Sequence, residues 1–403
     1  MTAYEIDRSE RLHGLDALRA AALLLGVVLH ATLSFFPTPI WIVADDQRSV
    51  WASGLFFAIH LFRMGTFFLI AGLFAHSLLN RRGVVGFVID RLTRIAAPLA
   101  VFWGVILAAI VAVVIWNASL QGLTAADAPP PPKYDWTDVP LTHLWFLWVL
   151  LIFYAALLIL RAAFGALDRK GGARALDRLT AGLTGPWGPL VLGAPVAVAL
   201  WLEPNWIAFF GVPTPDHGLI PNAAALVGFG TAFGFGVLLD RRRDLLGLIQ
   251  AWTPACLGLA LVVGAMALML AGGPDPRLTP LTDPSIKAAA AAAFGVATFA
   301  SVFAALGLAM RFASGRSAVR RYLSDASYWV YIVHLPLVMA GQVVVQDWAL
   351  PWAAKLILVV SGVLVVSIAS YELLIRHSFM GRWLNGRRVP WRRAPQPVFA
   401  PAE

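Results

Sequence analysis

Three ionisable side chains lie inside the first two apolar stretches of the sequence. His30 interrupts RLHGLDALRAAALLLGVVLHATLSFF, and His60 and Arg63 occur three residues apart in GLFFAIHLFRMGTFFLIAGLF. An ionisable group at the centre of a membrane helix costs roughly 2.5–3.5 kcal/mol on insertion scales, which makes such residues candidates for function. An imidazole can act as base or nucleophile near neutral pH, and a guanidinium always carries charge and binds anions. The spacing makes Arg63, with His60 and His30 at about the same depth, a candidate anion or oxyanion site. The alternative for His30 is a neutral histidine that is hydrogen-bonded to a neighbouring helix.

A second polar pair, Asp16 and Arg19, opens the first apolar stretch. Arg19 precedes His30 by about 1100° of helical rotation and roughly 16 Å of axial rise, so both side chains lie near one helix face. The pair is either an ion pair at the membrane boundary or an anion site for a cosubstrate. Arg91 and Arg94 follow the second stretch in a charged connecting segment.

Further polar and aromatic residues occur near the ends of later apolar stretches. His143 and Trp145 open LTHLWFLWVLLIFY, His334 lies in SDASYWVYIVHLPLV, and Glu372 lies in SYELLIRHSF. An aromatic residue at that depth is typical of an interfacial belt, or it forms a wall for a sugar ring. His143, Trp145, His334 and Glu372 are therefore candidate substrate contacts, with structural roles as the alternative. The alternative for Arg63 is an ion pair with a carboxylate such as Glu203.

The composition predicts an integral membrane protein. Of 403 residues, 59% are hydrophobic and 13% are charged, with a mean hydropathy of +0.75, whereas soluble domains carry about 25% charged residues. The net charge of +9 comes from arginines between apolar runs, the pattern of cytoplasmic loops, so nucleic acid is not an expected partner. The single cysteine, Cys256, excludes a disulfide and a cysteine-based metal site. The sequence contains no P-loop and no HExxH motif, so it gives no support for an ATP-driven or metal-dependent reaction.

The expected architecture is an all-α polytopic bundle with about ten membrane helices. The predicted spans lie near 15–36, 54–79, 94–116, 143–161, 189–210, 220–239, 252–271, 287–310, 327–346 and 352–376. One set of connecting segments carries 25 Lys and Arg residues and the opposite set carries four. The positive-inside rule then predicts that both termini are cytoplasmic.

Two segments differ from the bundle in composition. Pro129 to Pro132 predict a stiff polyproline stretch in an outer loop. Residues 381–403 form a basic, proline-containing tail, separate from a single membrane domain over 1–380.

These motifs together resemble the integral-membrane acyltransferase-3 family. The similarity rests on LDALRA followed by LGVVLHA, on FRMGTFFLIAGLF, on THLWFLWVLLIFY and on SDASYWVYIVHLPLV, in the family's order. FRM followed by FFLIAG, together with HLWFL, is most similar to the branch that includes the periplasmic-glucan succinyltransferases. Ile70-Ala71-Gly72 stands where the family commonly has Ser-Gly, so no hydroxyl role is assigned there.

The resemblance implies an acyltransferase, acting on groups other than amino-acyl groups, in a bacterial inner membrane. Such an enzyme moves an acyl group, acetyl or succinyl, from cytoplasmic acyl-CoA to a hydroxyl of an extracytoplasmic glycan or other envelope molecule. Acyl-CoA would be a donor cosubstrate, and no tightly bound cofactor is implied. Arg19, His30 and Arg63 match the family's motif positions. The roles are our own inference: His30 would be general base or acyl carrier, Arg63 would stabilise the oxyanion or hold a succinyl carboxylate, and His60 would orient either. The residues that would hold the donor are Asp16, Arg19, Arg91 and Arg94.

Two other functions remain open at this point. A transporter or flippase for a glycan or an acyl donor would line its path with the same polar residues. A catalytically silent membrane protein would bind an envelope-synthesis partner. The sequence predicts neither the acyl group and acceptor nor the oligomeric state.

Overall fold

The computed structural model describes residues 8–124, 127, 138–165 and 172–385. The predicted polyproline stretch and most of the predicted tail lie outside this range. The described chain is helical, with one isolated antiparallel bridge between Pro140 and His217. Its α-helices are α1 (Arg8–Thr32), α2 (Val50–Arg91), α3 (Ala97–Leu120), α4 (Trp145–Gly165), α5 (Gly172–Leu183), α6 (Gly188–Leu202), α7 (Ala223–Arg241), α8 (Leu246–Ala251), α9 (Thr253–Leu270), α10 (Pro284–Phe312), α11 (Ala318–Val345), α12 (Trp352–Ser370) and α13 (Phe379–Asn385).

The multi-pass helical prediction is confirmed. In the described chain eight helical stretches are long and apolar enough to cross a membrane, or nine if a bent pair counts as one span. One of the eight, Val50–Leu120, is 71 residues long and contains the second and third predicted spans. The chain breaks within it at Gly83, whose φ of 68° and ψ of −179° are not helical. Glycine reaches this conformation without the steric cost that a Cβ would add.

The fifth predicted span, 189–210, is too long. Helix α6 ends at Leu202, because Glu203 adopts an extended conformation and precedes Pro204, and a residue before proline is disfavoured in the α region. Fifteen residues rise only about 22 Å, less than a bilayer core. Helix α5 precedes α6 at an angle of 97°, forming the bent pair.

Arginine-rich segments from different loops meet at one end of the bundle, here called the arginine-rich end. Arg161 Nη1 donates to Asn80 Oδ1 at 2.9 Å, and Arg241 pairs with Asp177 at 3.2 Å. These contacts join α2, α4, α5 and α7, as expected if the charged loops share one side of the membrane.

Close helix packing places α1 between α2 and α11. Helix α2 approaches α7 at two glycines, since a Cβ on Gly72 would lie 2.0 Å from the Phe233 oxygen and one on Gly236 would lie 1.9 Å from the Leu69 oxygen. Helix α1 packs along α11 and also contacts α2. The polar residues of α1, α2 and α11 therefore face a common interior.

Candidate functional site

Three histidine rings and one guanidinium meet inside the bundle. The His334 ring centroid lies 5.3 Å from that of His30 and 4.9 Å from that of His143. A Cβ on Gly26 would lie 2.5 Å from Arg63 Nη1 and 3.7 Å from His334 Nε2, so the guanidinium lies over this glycine and beside His334. His30, Arg63, His143 and His334 are called the histidine cluster below.

Four separate elements supply the cluster. Gly26 and His30 are four residues apart on α1 and share a face. Arg63 lies in α2, His334 in α11, and His143 in the 3-10 helix Thr142–Leu144 before α4. Thr142 has a φ of 52°, the one positive φ at a non-glycine residue in the described chain. Strain of this kind is often found at functional sites.

Backbone carbonyls fix two of the histidine tautomers. His334 Nδ1 lies 2.6 Å from the Tyr331 oxygen, and His143 Nε2 lies 3.0 Å from the Ile332 oxygen. A carbonyl only accepts, so these nitrogens carry the protons when the rings are neutral. His334 Nε2 and His143 Nδ1 then present lone pairs, and both are buried without a partner among the described residues.

His30 Nδ1 and Arg63 Nε are also buried and unpartnered within the described part of the chain. Buried polar groups are nearly always paired in native proteins, so a convergence of unpaired ones marks a place for a ligand or water. Arg63 forms no ion pair with any described carboxylate. The predicted alternative, a pair with Glu203, is not observed. Glu203 follows the end of α6, where its backbone oxygen accepts from Lys287 Nζ at 2.6 Å.

His60 borders the cluster. Its ring stacks on Phe56 with centroids 5.3 Å apart and lies against the backbone oxygens of Phe210 and Val212. Its Nδ1 has no partner among the described residues. His60 and Thr298 line a cavity of about 20 Å³, which is room for about one water molecule.

A connection between α1 and α2 covers His30, a feature that the sequence did not predict. The Trp41 ring lies 6.2 Å from the His30 ring, and Trp41 Nε1 donates to Gln342 Oε1 at 2.9 Å. Gln342 Nε2 in turn donates to the His30 backbone oxygen at 3.0 Å. The same connection carries Asp45, which pairs with Lys355 Nζ at 2.7 Å.

Asp16 and Arg19 lie at the arginine-rich end, half exposed and 3.4 Å apart. Arg19 Nη2 also donates to Ser324 Oγ at 3.2 Å, and its guanidinium lies 5.8 Å from the centre of the Phe74 ring. The ion pair that was predicted as one alternative is therefore present. Arg19 still reaches α2 and α11 and keeps exposed surface for an anion.

Arg91 and Arg94 share a buried carboxylate. Asp90 is 5% exposed and lies 3.0 Å from Arg91 Nη2 and 3.4 Å from Arg94 Nε. The Arg91 guanidinium also lies 5.1 Å from the centre of the Tyr154 ring. Arg91 is held by these contacts, whereas Arg94 is more exposed.

One face of α11 links the arginine-rich end to the histidine cluster. Ser324 contacts Arg19, the Tyr328 hydroxyl donates to the Arg94 backbone oxygen at 2.8 Å, and the Tyr331 hydroxyl donates to the His143 backbone oxygen at 2.8 Å. The two tyrosine rings are stacked with centroids 6.4 Å apart. The spacing of Tyr328, Tyr331 and His334, each three residues apart in SYWVYIVH, was the available sequence signal.

Two predicted substrate contacts lie away from the cluster. Trp145 is buried, stacked on Phe229 at 5.4 Å and next to Phe68, so its ring is not available to a sugar. Glu372 lies toward the arginine-rich end, where it accepts from Arg376 and Tyr322 at 2.8 and 3.0 Å. These contacts tie Glu372 to α11 and to its own helical segment, and none of the contacts described for it reaches the histidine cluster.

A metal site is not among the assembled features. Within the part of the chain that the structure describes, no three His, Cys, Asp or Glu side chains come together in a way that could hold a metal ion.

Comparison with known proteins agrees with the resemblance seen in the motifs. Glucans biosynthesis protein C of Escherichia coli O6:K15:H31 (strain 536 / UPEC) is 28% identical over 151 residues, which cover 36% of this chain and 37% of the relative. The protein of the same name from Shigella dysenteriae serotype 1 (strain Sd197) is 32% identical over 91 residues, 23% of each chain. The aligned segments thus span 37% and 23% of the length of these two relatives. No solved structure matches. The model of the acyltransferase domain family Acyl_transf_3 matches residues 12–372, and the chain therefore belongs to the acyltransferase-3 family of membrane proteins.

Proposed function

We propose that this protein is a membrane-embedded O-acyltransferase of a bacterial inner membrane. It moves an acyl group, acetyl or succinyl, from cytoplasmic acyl-CoA to a hydroxyl of an extracytoplasmic glycan or other envelope molecule. The observation that carries the proposal is the histidine cluster. There the guanidinium of Arg63, whose Nε is buried and which has no carboxylate partner among the described residues, lies beside two rings that present unpaired nitrogens. Acyl transfer needs a base or nucleophile and a stabiliser for the oxyanion, and the cluster offers both.

The general-base route uses His30 and Arg63. His30 takes the proton of the acceptor hydroxyl while the oxygen attacks the thioester carbonyl. Arg63 donates to the oxyanion of the tetrahedral intermediate. The C–S bond then breaks, and the proton passes from His30 to the thiolate of CoA, so atoms and charge balance.

A covalent route places the acyl group on His30 first. The imidazole displaces CoA, and the acceptor hydroxyl then displaces the imidazole, with a neighbouring ring as base. His334 Nε2 suits that role, because the Tyr331 carbonyl holds the proton on Nδ1. For a succinyl donor, Arg63 could instead bind the distal carboxylate in a bidentate contact.

The donor would enter from the arginine-rich end, where Arg19, Arg91 and Arg94 attract its phosphates. The pantetheine arm has about as many chain atoms as four peptide residues and extends roughly 14 Å. Two stacked tyrosines separate the Arg94 and His143 backbone oxygens, and the arm would extend along them toward the histidine cluster. His60 orients the acceptor or the intermediate from the edge of the cluster.

The test is mass spectrometry of envelope glycans from cells with and without the protein. A mass difference of one acetyl or one succinyl group is expected, which names the donor. His30→Ala should abolish that difference at normal expression, whereas His217→Ala, a change at an exposed ring outside the cluster, should retain it. Acylation that persists in His30→Ala would contradict the assigned role.

A transporter predicts a different result with purified protein. Detergent-solubilised enzyme should transfer or hydrolyse acyl-CoA without a membrane gradient. Movement of a glycan or donor across vesicles without any acyl transfer would contradict the proposal.

A further inference from the structure

A cleft of about 510 Å³ opens at the arginine-rich end, between the C-terminal part of α2 and the short helix α13. It is called the arginine cleft here. Among its lining residues are Arg82, Asp90, Thr93, Arg94, Arg382 and Trp383. Arg82, Arg382 and Trp383 were not among the residues that the sequence predicted to bind a ligand.

The charge of the arginine cleft is unbalanced. Asp90 faces Arg82 at 3.1 Å and Arg94 at 3.4 Å, and it also pairs with Arg91 outside the lining. Arg382, on the opposite wall, is exposed and forms no ion pair with a described carboxylate. Three guanidinium groups thus line the cleft with one carboxylate, an arrangement that favours a multiply charged anion such as a phosphate ester.

An aromatic ring is fixed in the same cleft. Trp383 Nε1 donates to the Thr93 backbone oxygen at 2.6 Å, and its ring stacks near Phe102 with centroids 6.2 Å apart. These contacts hold the indole against the residues that lead into α3. Flat bases stack well on such rings, so the cleft offers both contacts that a phosphorylated purine nucleoside needs.

The cleft adjoins the route to the histidine cluster. Thr93 and Arg94 form part of its wall, and the Arg94 backbone oxygen is the point where the Tyr328 hydroxyl binds. A phosphate bound there lies one stacked tyrosine pair away from the His143 backbone oxygen. A pantetheine arm that starts from such a phosphate would run along this tyrosine pair, whereas a lipid headgroup in the same place would use only the phosphate contacts.

We infer that the arginine cleft binds the 3′-phosphorylated adenosine end of the acyl-CoA donor, with Arg382 and Arg82 on the phosphates and Trp383 beside the base. This inference rests on the proposed function, because it takes the donor to be acyl-CoA. The chemistry that the cleft recognises, a phosphate ester, is shared by anionic lipid headgroups, which the experiment must separate from the donor.

The experiment compares acyl-CoA with acyl-dephospho-CoA, which lacks the 3′-phosphate, in purified enzyme. For the wild type, KM should be about tenfold lower with acyl-CoA. For Arg382→Ala the two KM values should converge with little change in kcat, because the residue touches the donor far from the reacting carbon. Arg311→Ala removes an arginine from the end of α10, outside the cleft, and should keep the tenfold difference.

Binding of CoA and dephospho-CoA, measured by calorimetry on the same variants, provides a readout that does not need turnover. A wild-type preference for CoA that vanishes in Arg382→Ala supports the inference even if the acceptor is unknown. A preference for CoA that survives in Arg382→Ala, or that is lost equally in Arg311→Ala, overturns the assignment of the cleft. Neither result contradicts the proposed acyl transfer. Failure of the wild type to use any acyl-CoA would instead contradict the proposed function.

The lipid source is tested in nanodiscs of phosphatidylcholine alone and with phosphatidylglycerol. The inference predicts that Arg382→Ala loses the KM difference between acyl-CoA and acyl-dephospho-CoA to the same extent in both kinds of nanodisc. A defect that appears only with phosphatidylglycerol, and equally for both donors, would assign the cleft to a lipid headgroup and overturn the donor assignment.

Discussion

Two cations within the membrane helices have opposite surroundings. Lys355 is 1% exposed and donates to both carboxylate oxygens of Asp45 at 2.7 and 3.0 Å and to the Gln346 backbone oxygen at 2.7 Å. All three of its ammonium protons are thereby used. Arg63 has five N–H donors. It pairs with no carboxylate among the described residues, and its Nε has no hydrogen-bond partner among them. The comparison separates a cation that holds the fold together from one that is held ready for an anion.

The physical basis is the cost of burying charge. A buried ion pair recovers most of that cost when its hydrogen bonds are complete, and breaking it leaves an uncompensated charge. Lys355 therefore stabilises the connection that carries Trp41 over His30. Arg63 leaves part of the cost unrecovered, which an oxyanion or a carboxylate of a substrate would offset.

The largest effect on stability is expected for Lys355→Met. The change leaves Asp45 buried without a partner and should lower the free energy of unfolding by about 3–5 kcal/mol. Denaturant titration in detergent measures this. Adding Asp45→Asn removes the stranded charge and should restore much of the loss, so a single variant as stable as wild type would break the comparison.

Arg63→Gln should lower activity and not stability. Removal of the oxyanion donor should slow acyl transfer by about 10²–10³-fold. Thermal stability should stay the same or rise, because no carboxylate loses its partner. Initial rates and thermal melts on one preparation measure both, and destabilisation comparable to that of Lys355→Met would show that Arg63 is structural.

Gly26→Ala tests the position of the guanidinium rather than its presence. The new Cβ would overlap Arg63 Nη1, and since the end of a long side chain can move, the fold should survive while transfer falls by up to about 100-fold. Gly54→Ala is the matched control, since a Cβ there meets no atom within 4 Å. Equal rates in both variants would mean that the guanidinium position is not important.

Tyr331→Phe is expected to have the smallest effect. It removes the hydroxyl that donates to the His143 backbone oxygen, a bond of about 0.5–1.5 kcal/mol, and should lower kcat by no more than about tenfold. Tyr322→Phe, a change near Glu372 at the arginine-rich end, should leave kcat unchanged. A greater loss in Tyr322→Phe would show that the α11 tyrosines do not act through His143.

Much of the site could be predicted from residue type and depth. His30 and Arg63 stood out because ionisable groups are rare in apolar helices, and the structure brings them together with His143 and His334. Gly26 gave no such signal, because a glycine in a membrane helix usually indicates close packing. The Asp45–Lys355 pair joins residues 310 positions apart, a distance that no local pattern spans.

For Trp145 and Glu372, residue type and depth suggested a substrate contact, but they could not predict where each side chain packs. Their types suit carbohydrate binding, but type and depth do not say which way a helix is rotated. Packing turns Trp145 toward Phe229 and holds Glu372 with Arg376.

The sequence by itself determined that this protein crosses a membrane several times, which segments are charged, and that His30 and Arg63 are ionisable groups within apolar helices. Hydropathy and charge fix these properties, because each residue's transfer free energy between water and lipid is largely local. Only the tertiary structure decided that Lys355 is paired with a carboxylate while Arg63 has none among the described residues, and that an arginine-lined cleft forms beside α13. Those outcomes depend on which helix faces meet, and packing between distant segments sets that arrangement.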